Sequence, residues 1–222
     1  LVPYAPLFRS SDQQLKPLLE AADAAPIHLP PAADPAKVHL GEMLFFDPIL
    51  SGNRDTACVT CHRPGHSTTV HRSQVVGTQA VMRDGKRMPG PDHSFTPRNS
   101  PGLFNLGDEN VNSFFWDARL GRNAEGKAVL WDSGWQKSED SYLRLMSPVL
   151  DNLPAAQRQF PLLALADMRG DHGESDANGE ANEFAKAPDQ NSEMPWHSLA
   201  DRLLANAKKQ HLFRQTNPNR KH

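Results

Sequence analysis

Two cysteines and a histidine form the most chemically specific group of the sequence. Cys58 and Cys61 are the only cysteines among the 222 residues, and His62 follows directly in the segment ACVTCHR. In a CxxCH segment two thiols can add across the vinyl groups of haem to form thioethers, and the adjacent imidazole can bind the iron. The spacing therefore predicts one covalently attached haem c per chain, with His62 as the proximal ligand of the haem iron.

A disulfide and a zinc site are the alternatives for this cysteine pair. A redox disulfide of the CxxC type usually begins a helix within a βαβ pattern, and no such pattern surrounds residues 58–61. A structural zinc site takes four protein ligands, but His66 and His71 follow too closely for the usual Cys2His2 spacing. Haem attachment is favoured, and it implies an exported protein of the bacterial periplasm or an equivalent compartment.

The sixth ligand of the iron decides between an electron carrier and an enzyme. A carrier keeps a second strong ligand, often Met or His, through its redox cycle. Spacing singles out none of the candidates, which are Met82, Met88, Met146, Met168, Met194, His66, His71 and His93. Both functions therefore stay open at this point.

Composition excludes two classes of partner. The net charge is -2, with Lys and Arg scattered among the acidic residues, so a nucleic-acid-binding surface is not expected. No run approaches the roughly 18 apolar residues of a membrane span, so no membrane span is expected either. The 19 prolines, against roughly 11 from an average share of about 5%, predict helices separated by long irregular segments.

The chain is predicted to consist of an extension and one domain. Residues 1–33 are rich in Pro and Ala and read as an N-terminal extension and linker, with one short helix around Gln13 to Ala24. Residues 34–222 are the predicted haem domain. Asp34 and Pro35 suit the start of its first helix, as N-cap and first-turn proline.

Periodicity indicates further elements of this domain. Short helices are predicted at Ser138 to Met146 and at Pro154 to Phe160, and a longer one follows near the end of the chain. Its apolar face contains Trp196, Leu199, Leu203 and Ala207. Residues 63–112 show no sustained hydrophobic period of 3.6 or of 2 residues, so this stretch is predicted to lack clear regular structure. Residues 169–193 are polar, acidic and rich in Gly and Asn, and are predicted to be exposed.

Four blocks of sequence share one family pattern. They are LGEMLFFDPILSGNRDTACVTCHRP, then TPRNSPGLFN with FFWDAR, then AAQRQFPLLALADMRG, and last SLADRLLANAKKQHLF. In this order they resemble the N-terminal, peroxidatic haem domain of bacterial di-haem cytochrome c peroxidases and MauG-like proteins, over roughly Lys37 to Phe213. Ala118 departs from the family's pattern, which has Gly there. The resemblance implies a mostly α, cytochrome c-like helical haem domain with long irregular loops.

The resemblance also implies a peroxide pocket in the third block. Gln157 would orient peroxide, Pro161 would restrict access, and Asp167 would transfer a proton, which makes these three the candidate catalytic residues. Asp167 is one methylene shorter than the Glu of the family. The alternatives are a polar helix residue, a helix stop and a solvated acid.

Two residues of the second block have counterparts in the family. Trp116 resembles a tryptophan that lies between two haems and mediates electron transfer, and a buried core aromatic is its alternative. Asn99 resembles an asparagine that helps to bind calcium, and a turn residue is its alternative.

The family also implies partners. Its members carry a second haem domain with its own CxxCH, whereas this sequence contains one CxxCH. A second haem-bearing domain or chain is therefore one expected partner. The others are hydrogen peroxide and an electron donor, either a small cytochrome or a copper protein, or else a protein substrate that is oxidised. A monohaem electron-transfer cytochrome with a six-coordinate iron remains the alternative function.

Overall fold

The computed structural model describes residues 5–24, 32–108, 110–124, 128–130, 153–186 and 193–206. The chain divides into two units, Leu1–Pro31 and Ala32–His222. The first unit contains helix α1, Ala5–Ala21, with Pro17 inside it. The predicted helix at Gln13 to Ala24 is thus part of a longer one that begins and ends earlier.

The second unit begins with helix α2, Pro35–Phe46. The carboxylate of Asp34 accepts a hydrogen bond from the backbone N–H of Ala36 at 2.8 Å, and Pro35 lies in the first turn. This cap satisfies a donor that has no partner within the helix, which confirms the predicted start. Asp47 ends α2 and caps the 3-10 turn Pro48–Leu50, which leads into the loop before the cysteines.

Helix α3, Cys58–Cys61, is a single turn, and a 3-10 turn, Pro64–His66, follows it. Strands β1, Ala80–Arg83, and β2, Lys86–Pro89, then form an antiparallel hairpin. The absence of regular structure predicted for residues 63–112 is therefore wrong in this part. The turn residues Asp84 and Gly85 both have positive φ, as a two-residue hairpin turn requires.

A second, three-stranded antiparallel sheet contains β3, Ser113–Phe114, β4, Leu120–Arg122, and β5, Ala128–Leu130. It packs with helix α4, Leu153–Gln157, to form an apolar cluster. The buried members of that cluster are Phe114, Leu120, Ala128, Leu153 and Ala156. This cluster connects the second and third sequence blocks.

The remaining elements lie near the end of the chain. The helix predicted at Pro154 to Phe160 appears as α4 and the 3-10 turn Phe160–Leu162. A π-helical turn, Leu165–Arg169, comes next, and α5 spans Glu193–Ala205. Leu199 is buried and Leu203 half-buried, as the predicted apolar face requires.

Some sequence predictions cannot be compared with the structure. The predicted helix at Ser138 to Met146, the side chain of Trp196 and the residue Ala207 lie outside the described residues. Within the described part of the chain, helices and irregular segments occur together with short strands that the sequence did not predict. None of the described helices has the length and apolar character needed to cross a membrane.

A buried polar loop, Ser51–Thr56, lies between α2 and α3. Ser51, Asn53 and Thr56 are each at most 1% exposed. The amide of Asn53 donates to the hydroxyl of Thr78 at 2.8 Å and accepts from Asn182 Nδ2 at 2.9 Å. Every such contact matters, because a buried polar group without a partner is costly.

The prediction that residues 169–193 are exposed is wrong for residues 182–185. Asn182 is 3% exposed and Phe184 only 1%. The side chain of Asn182 donates to the carbonyl oxygen of Arg169 at 2.8 Å and accepts from the N–H of Phe184 at 3.0 Å. The polar side chain of Asn182 thus makes hydrogen bonds inside the protein instead of contacts with water.

Arg202 of α5 joins the two buried segments. Its guanidinium donates to the carbonyl oxygens of Ile49, Ser51 and Gly52 at 2.6 to 2.9 Å. It also pairs with the carboxylate of Glu183, and it lies 4.2 Å from the centroid of the Phe184 ring. A planar fork with five N–H groups can make these contacts together, whereas a lysine cannot.

Arg202→Ala should lower the free energy of unfolding by about 3–5 kcal/mol, because it leaves buried carbonyl groups without their donor and takes from the carboxylate of Glu183 one of its two arginine partners. Urea unfolding of the haem-loaded protein measures the change. Arg83→Ala, at an exposed position of β1, is the control and should change stability by less than about 0.5 kcal/mol. Equal effects of the two substitutions would contradict the structural role of Arg202.

Candidate functional site

The cysteines are positioned by α3 and by the loop before it. The hydroxyl of Thr60 accepts a hydrogen bond from the N–H of Ala57 at 3.0 Å, which fixes the start of the turn. Residues three apart on a helix share a face, so Cys58 and Cys61 point to the same side. Both are half-buried free thiols, and the structure contains no disulfide between them.

The surroundings of the two thiols raise their pKa values and, among the described residues, offer no set of zinc ligands. Burial raises the pKa of Cys61 to about 12, and the nearby carboxylate of Asp167 acts in the same direction. Burial likewise raises the pKa of Cys58. No three His, Cys, Asp or Glu residues of the described ranges form a metal-binding group.

The ring of His62 is oriented by main-chain oxygens. Its Nδ1 lies 3.0 Å from the carbonyl oxygen of Thr68, to which the Nδ1–H donates. Burial lowers the pKa of His62, while hydrogen bonds to the carbonyls of Thr68 and Pro101 partly oppose that effect. A neutral imidazole with its Nδ1 proton engaged leaves the lone pair of Nε2 for a metal. The two thiols and this imidazole therefore fit a covalently attached haem c.

Two residues of the second sequence block form hydrogen bonds with the segment that positions His62. The hydroxyl of Ser100 donates to the carbonyl oxygen of Cys61, and the N–H of Leu103 donates to the hydroxyl of Thr68 at 2.7 Å. Sequence analysis missed Thr68 and Ser100 as positioning residues. For Ser100 the available signal was its place in the second block, whereas Thr68 lies in none of the four blocks and carried no signal.

Asn99 also lies in the second block and is exposed. Its side-chain amide donates to the carbonyl oxygen of Val70 at 3.1 Å. Its amide oxygen accepts a hydrogen bond from the hydroxyl of Ser100 at 3.5 Å. The assignment of Asn99 to calcium stays a prediction.

Asp167 lies in the π-helical turn, at a point where three chain segments meet. Its carbonyl oxygen accepts from the N–H of Thr78 at 3.0 Å, and that of Met168 accepts from Gly52 at 2.7 Å. Burial raises the pKa of the Asp167 carboxyl to about 6. The charge of Asp167 therefore acts on the thiol of Cys61, while the pKa of Asp167 itself lies at about 6.

Gln157 and Pro161 lie on the connection between α4 and that turn. Gln157 is the last residue of α4, and Pro161 is in the 3-10 turn that contacts the π-helical turn of Asp167. The charge of Arg158, next to Gln157, lowers the pKa of Cys58 against the larger effect of burial. The end of α4 is thus near Cys58 and Asp167 is near Cys61, although no hydrogen bond connects Gln157 with Asp167.

Trp116 is 72% exposed, so the alternative of a buried core aromatic is wrong. The guanidinium of Arg98 lies 4.6 Å from the centroid of its ring. Two residues on, Ala118 has a φ of 55°. Glycine is favoured at such a φ, which explains why Gly is usual at this position of the pattern.

Two comparisons with known proteins bear on the chain. A family model described as "Di-haem cytochrome c peroxidase" matches residues 35–221. The match extends over all four sequence blocks. No curated protein matches the chain.

Gly77→Ala should displace the turn that contains Asp167. A Cβ at position 77 would lie 2.1 and 2.2 Å from the carbonyl oxygens of Asp167 and Ala166, so one of the two segments must move. We expect a loss of about 1–3 kcal/mol in the free energy of unfolding, with haem attachment retained. Urea unfolding followed by haem absorbance and by circular dichroism measures both.

Gly65→Ala is the control for this substitution, because a Cβ at that position meets nothing within 4 Å. Equal stability of Gly77→Ala and Gly65→Ala would show that the contact between Gly77 and the π-helical turn is not tight.

Proposed function

The chain belongs to the di-haem cytochrome c peroxidase family, and we propose that it reduces hydrogen peroxide, or uses it to oxidise a protein partner, at a haem c with an open coordination position. The match confirms the family that the four blocks predicted. Membership implies covalently bound haem c and a peroxidase type of haem chemistry. The proposal adds the reaction, the residues and the count of one haem per chain.

Cys58, Cys61 and His62 would hold the haem. When bound, haem c supplies an iron centre that exchanges electrons with peroxide. His62 would bind the iron, and the hydrogen bond from its Nδ1–H to the carbonyl oxygen of Thr68 restricts rotation of the ring.

The burial of the Asp167 carboxyl and the rise in its pKa are the observation that carries the proposal. Cleavage of the O–O bond requires that a proton leave one oxygen of peroxide and reach the other. The most effective group for this transfer has a pKa near the working pH. Burial raises the pKa of Asp167 to about 6, and its charge acts on Cys61. Asp167 is therefore suited to accept the proton and to return it.

Gln157 and Pro161 would complete the pocket. Supporting this, the end of α4 lies near Cys58, and the turn of Pro161 contacts the turn of Asp167. In this proposal the amide of Gln157 orients peroxide or water, and the ring of Pro161 narrows the entrance.

Reduction of peroxide to water requires two electrons, so an electron source is part of the proposal. We propose a small cytochrome or a copper protein as donor, or a second haem-bearing domain or chain, with the exposed ring of Trp116 as the point of entry. A protein substrate would supply the electrons in the oxidase variant of the reaction. Export to the bacterial periplasm and a calcium ion at Asn99 belong to the same proposal.

An electron-transfer cytochrome is the second candidate function. One observation favours it: the side chain of Met168 is buried and directly follows Asp167 in the π-helical turn. A methionine thioether is one of the groups that would close the sixth coordination site of a haem in an electron carrier. The two candidates differ in whether the iron is open to small ligands.

Absorption and electron paramagnetic resonance spectra of the purified, haem-loaded protein distinguish these functions. The peroxidase proposal predicts a form that binds cyanide and reacts with hydrogen peroxide at a rate that increases with peroxide concentration. An iron that stays low-spin and binds neither ligand in either redox state would contradict it. Met168→Ala would then open the site if Met168 is the ligand.

Asp167→Asn should slow the reaction with peroxide by about a hundredfold or more, because the amide cannot accept the proton. The wild-type rate should rise with pH through about 6, since the raised pKa keeps the carboxyl protonated, and inactive as a base, below that pH. The variant should lose this dependence. Stopped-flow measurements from pH 5 to 8 record both effects.

Asp84→Asn, at an exposed position of the β1–β2 turn, is the matched control and should retain the wild-type profile. An unchanged rate and pH profile for Asp167→Asn would remove Asp167 from the reaction.

A further inference from the structure

A small cavity lined by basic side chains lies beside α3 and against the β1–β2 hairpin. Its volume is about 200 Å3, and Thr60 of α3 is part of its wall. Its basic lining residues are Arg63, His66, His71, Arg72, Lys86 and Arg87. Among the residues that the structure describes, the lining contains neither Asp nor Glu. The described lining therefore concentrates positive charge without a carboxylate to balance it.

Two of these cations are held in place by the main chain. The guanidinium of Arg87 donates to the carbonyl oxygen of Gly77 at 2.6 Å and to that of Val76 at 3.2 Å. Arg72 donates to the carbonyl oxygen of Arg87 at 2.7 Å. Neutral carbonyl groups fix these side chains but do not cancel their charge. Arg72 and Arg87 thus form a rigid cationic wall.

The other four basic side chains have N–H groups that can donate hydrogen bonds to a ligand. Among the described residues, the side chains of Arg63 and Lys86 have no hydrogen-bond or ion-pair partner, and neither do the ring nitrogens of His66 and His71. The two imidazoles pack edge to face, with centroids 4.3 Å apart. The charges of Arg63, Arg72, Lys86 and Arg87 have the same sign and repel each other, so a bound anion would lower the electrostatic energy of this cluster.

We propose that this cavity binds a tetrahedral oxyanion of the phosphate class, either free or as a phosphomonoester. Hydrogen bonds from Arg, Lys and His to phosphate oxygens are charge-assisted and strong. The concave shape suits a compact ligand better than the surface of a protein. The surrounding positive charge excludes a metal cation at the histidine pair.

An adjoining cleft offers room for the organic part of an ester. It measures about 560 Å3 and shares Arg72 and Lys86 with the cavity. The side chains of Met88 and Phe95 contribute apolar surface to it, and Asp84 offsets part of its charge. The cavity is therefore the place for the anion, and the cleft is the place for an uncharged group attached to it.

Isothermal titration of the haem-loaded full chain with sodium phosphate tests this site. We expect saturable binding with one phosphate per chain. Lys86→Gln and Arg63→Gln should each weaken it about tenfold, since each removes one charge-assisted hydrogen bond. Lys37→Gln, at an exposed position of α2 outside both cavities, is the control and should bind like the wild type.

Absence of binding to the wild type, or equal losses in Lys37→Gln and Lys86→Gln, would overturn the proposal. Circular dichroism and the haem absorbance confirm that each variant is folded. The readout is heat of binding, so the outcome does not depend on the peroxidase reaction.

Titration with glycerol 3-phosphate assigns the source of the anion. A phosphomonoester is supported if this ester binds more tightly than phosphate and if Arg83→Gln abolishes the difference in affinity. Arg83 is suited to this test because it lines the cleft and not the cavity. Equal affinities support free phosphate.

Discussion

Burial of the loop Ser51–Thr56 beneath the guanidinium of Arg202 is the interaction on which the other parts of the site depend. The carbonyl groups of this loop are inside the protein and need donors, which Arg202 supplies from α5. Burial alone would raise the pKa of Glu183, but the hydrogen bond from Arg202 keeps this pKa below its usual range. The carboxylate of Glu183 therefore remains ionised at neutral pH. Since α3 begins directly after the loop, the position of the thiols follows from this arrangement.

The site is assembled from segments that are far apart in the sequence, and each acts through main-chain contacts. The loop before α3 contacts the π-helical turn of Asp167 through Gly52, and Gly77 packs closely against the same turn. On the proximal side, Ser100 contacts the carbonyl of Cys61, so the second block supports His62. Backbone contacts of this kind tolerate changes of side chain, which is consistent with an Asp where the family has a Glu.

The sequence was informative where the chemistry is local. The CxxCH spacing, the cap at Asp34 and the order of the blocks each depend on residues close together, and they predicted the attachment segment, the start of α2 and the family. It failed where partners are distant. Asn182 was assigned to an exposed loop, because composition does not reveal that its side-chain amide donates a hydrogen bond to Asn53. The β1–β2 hairpin was missed although Asp84 and Gly85 are a typical turn pair, since each strand has only four residues and neither alternates apolar with polar residues along its whole length.

The span of these contacts along the chain has a kinetic consequence. Arg54 reaches Asp176 across 122 positions, and Arg202 reaches Ser51 across 151. Contacts that close such long loops carry a high entropic cost and form slowly. The hydrogen bond between His62 and Thr68 spans only six positions and can form early. The short span of this contact therefore allows the two thiols and the imidazole to be ordered as a local unit before the contacts of the C-terminal segment form.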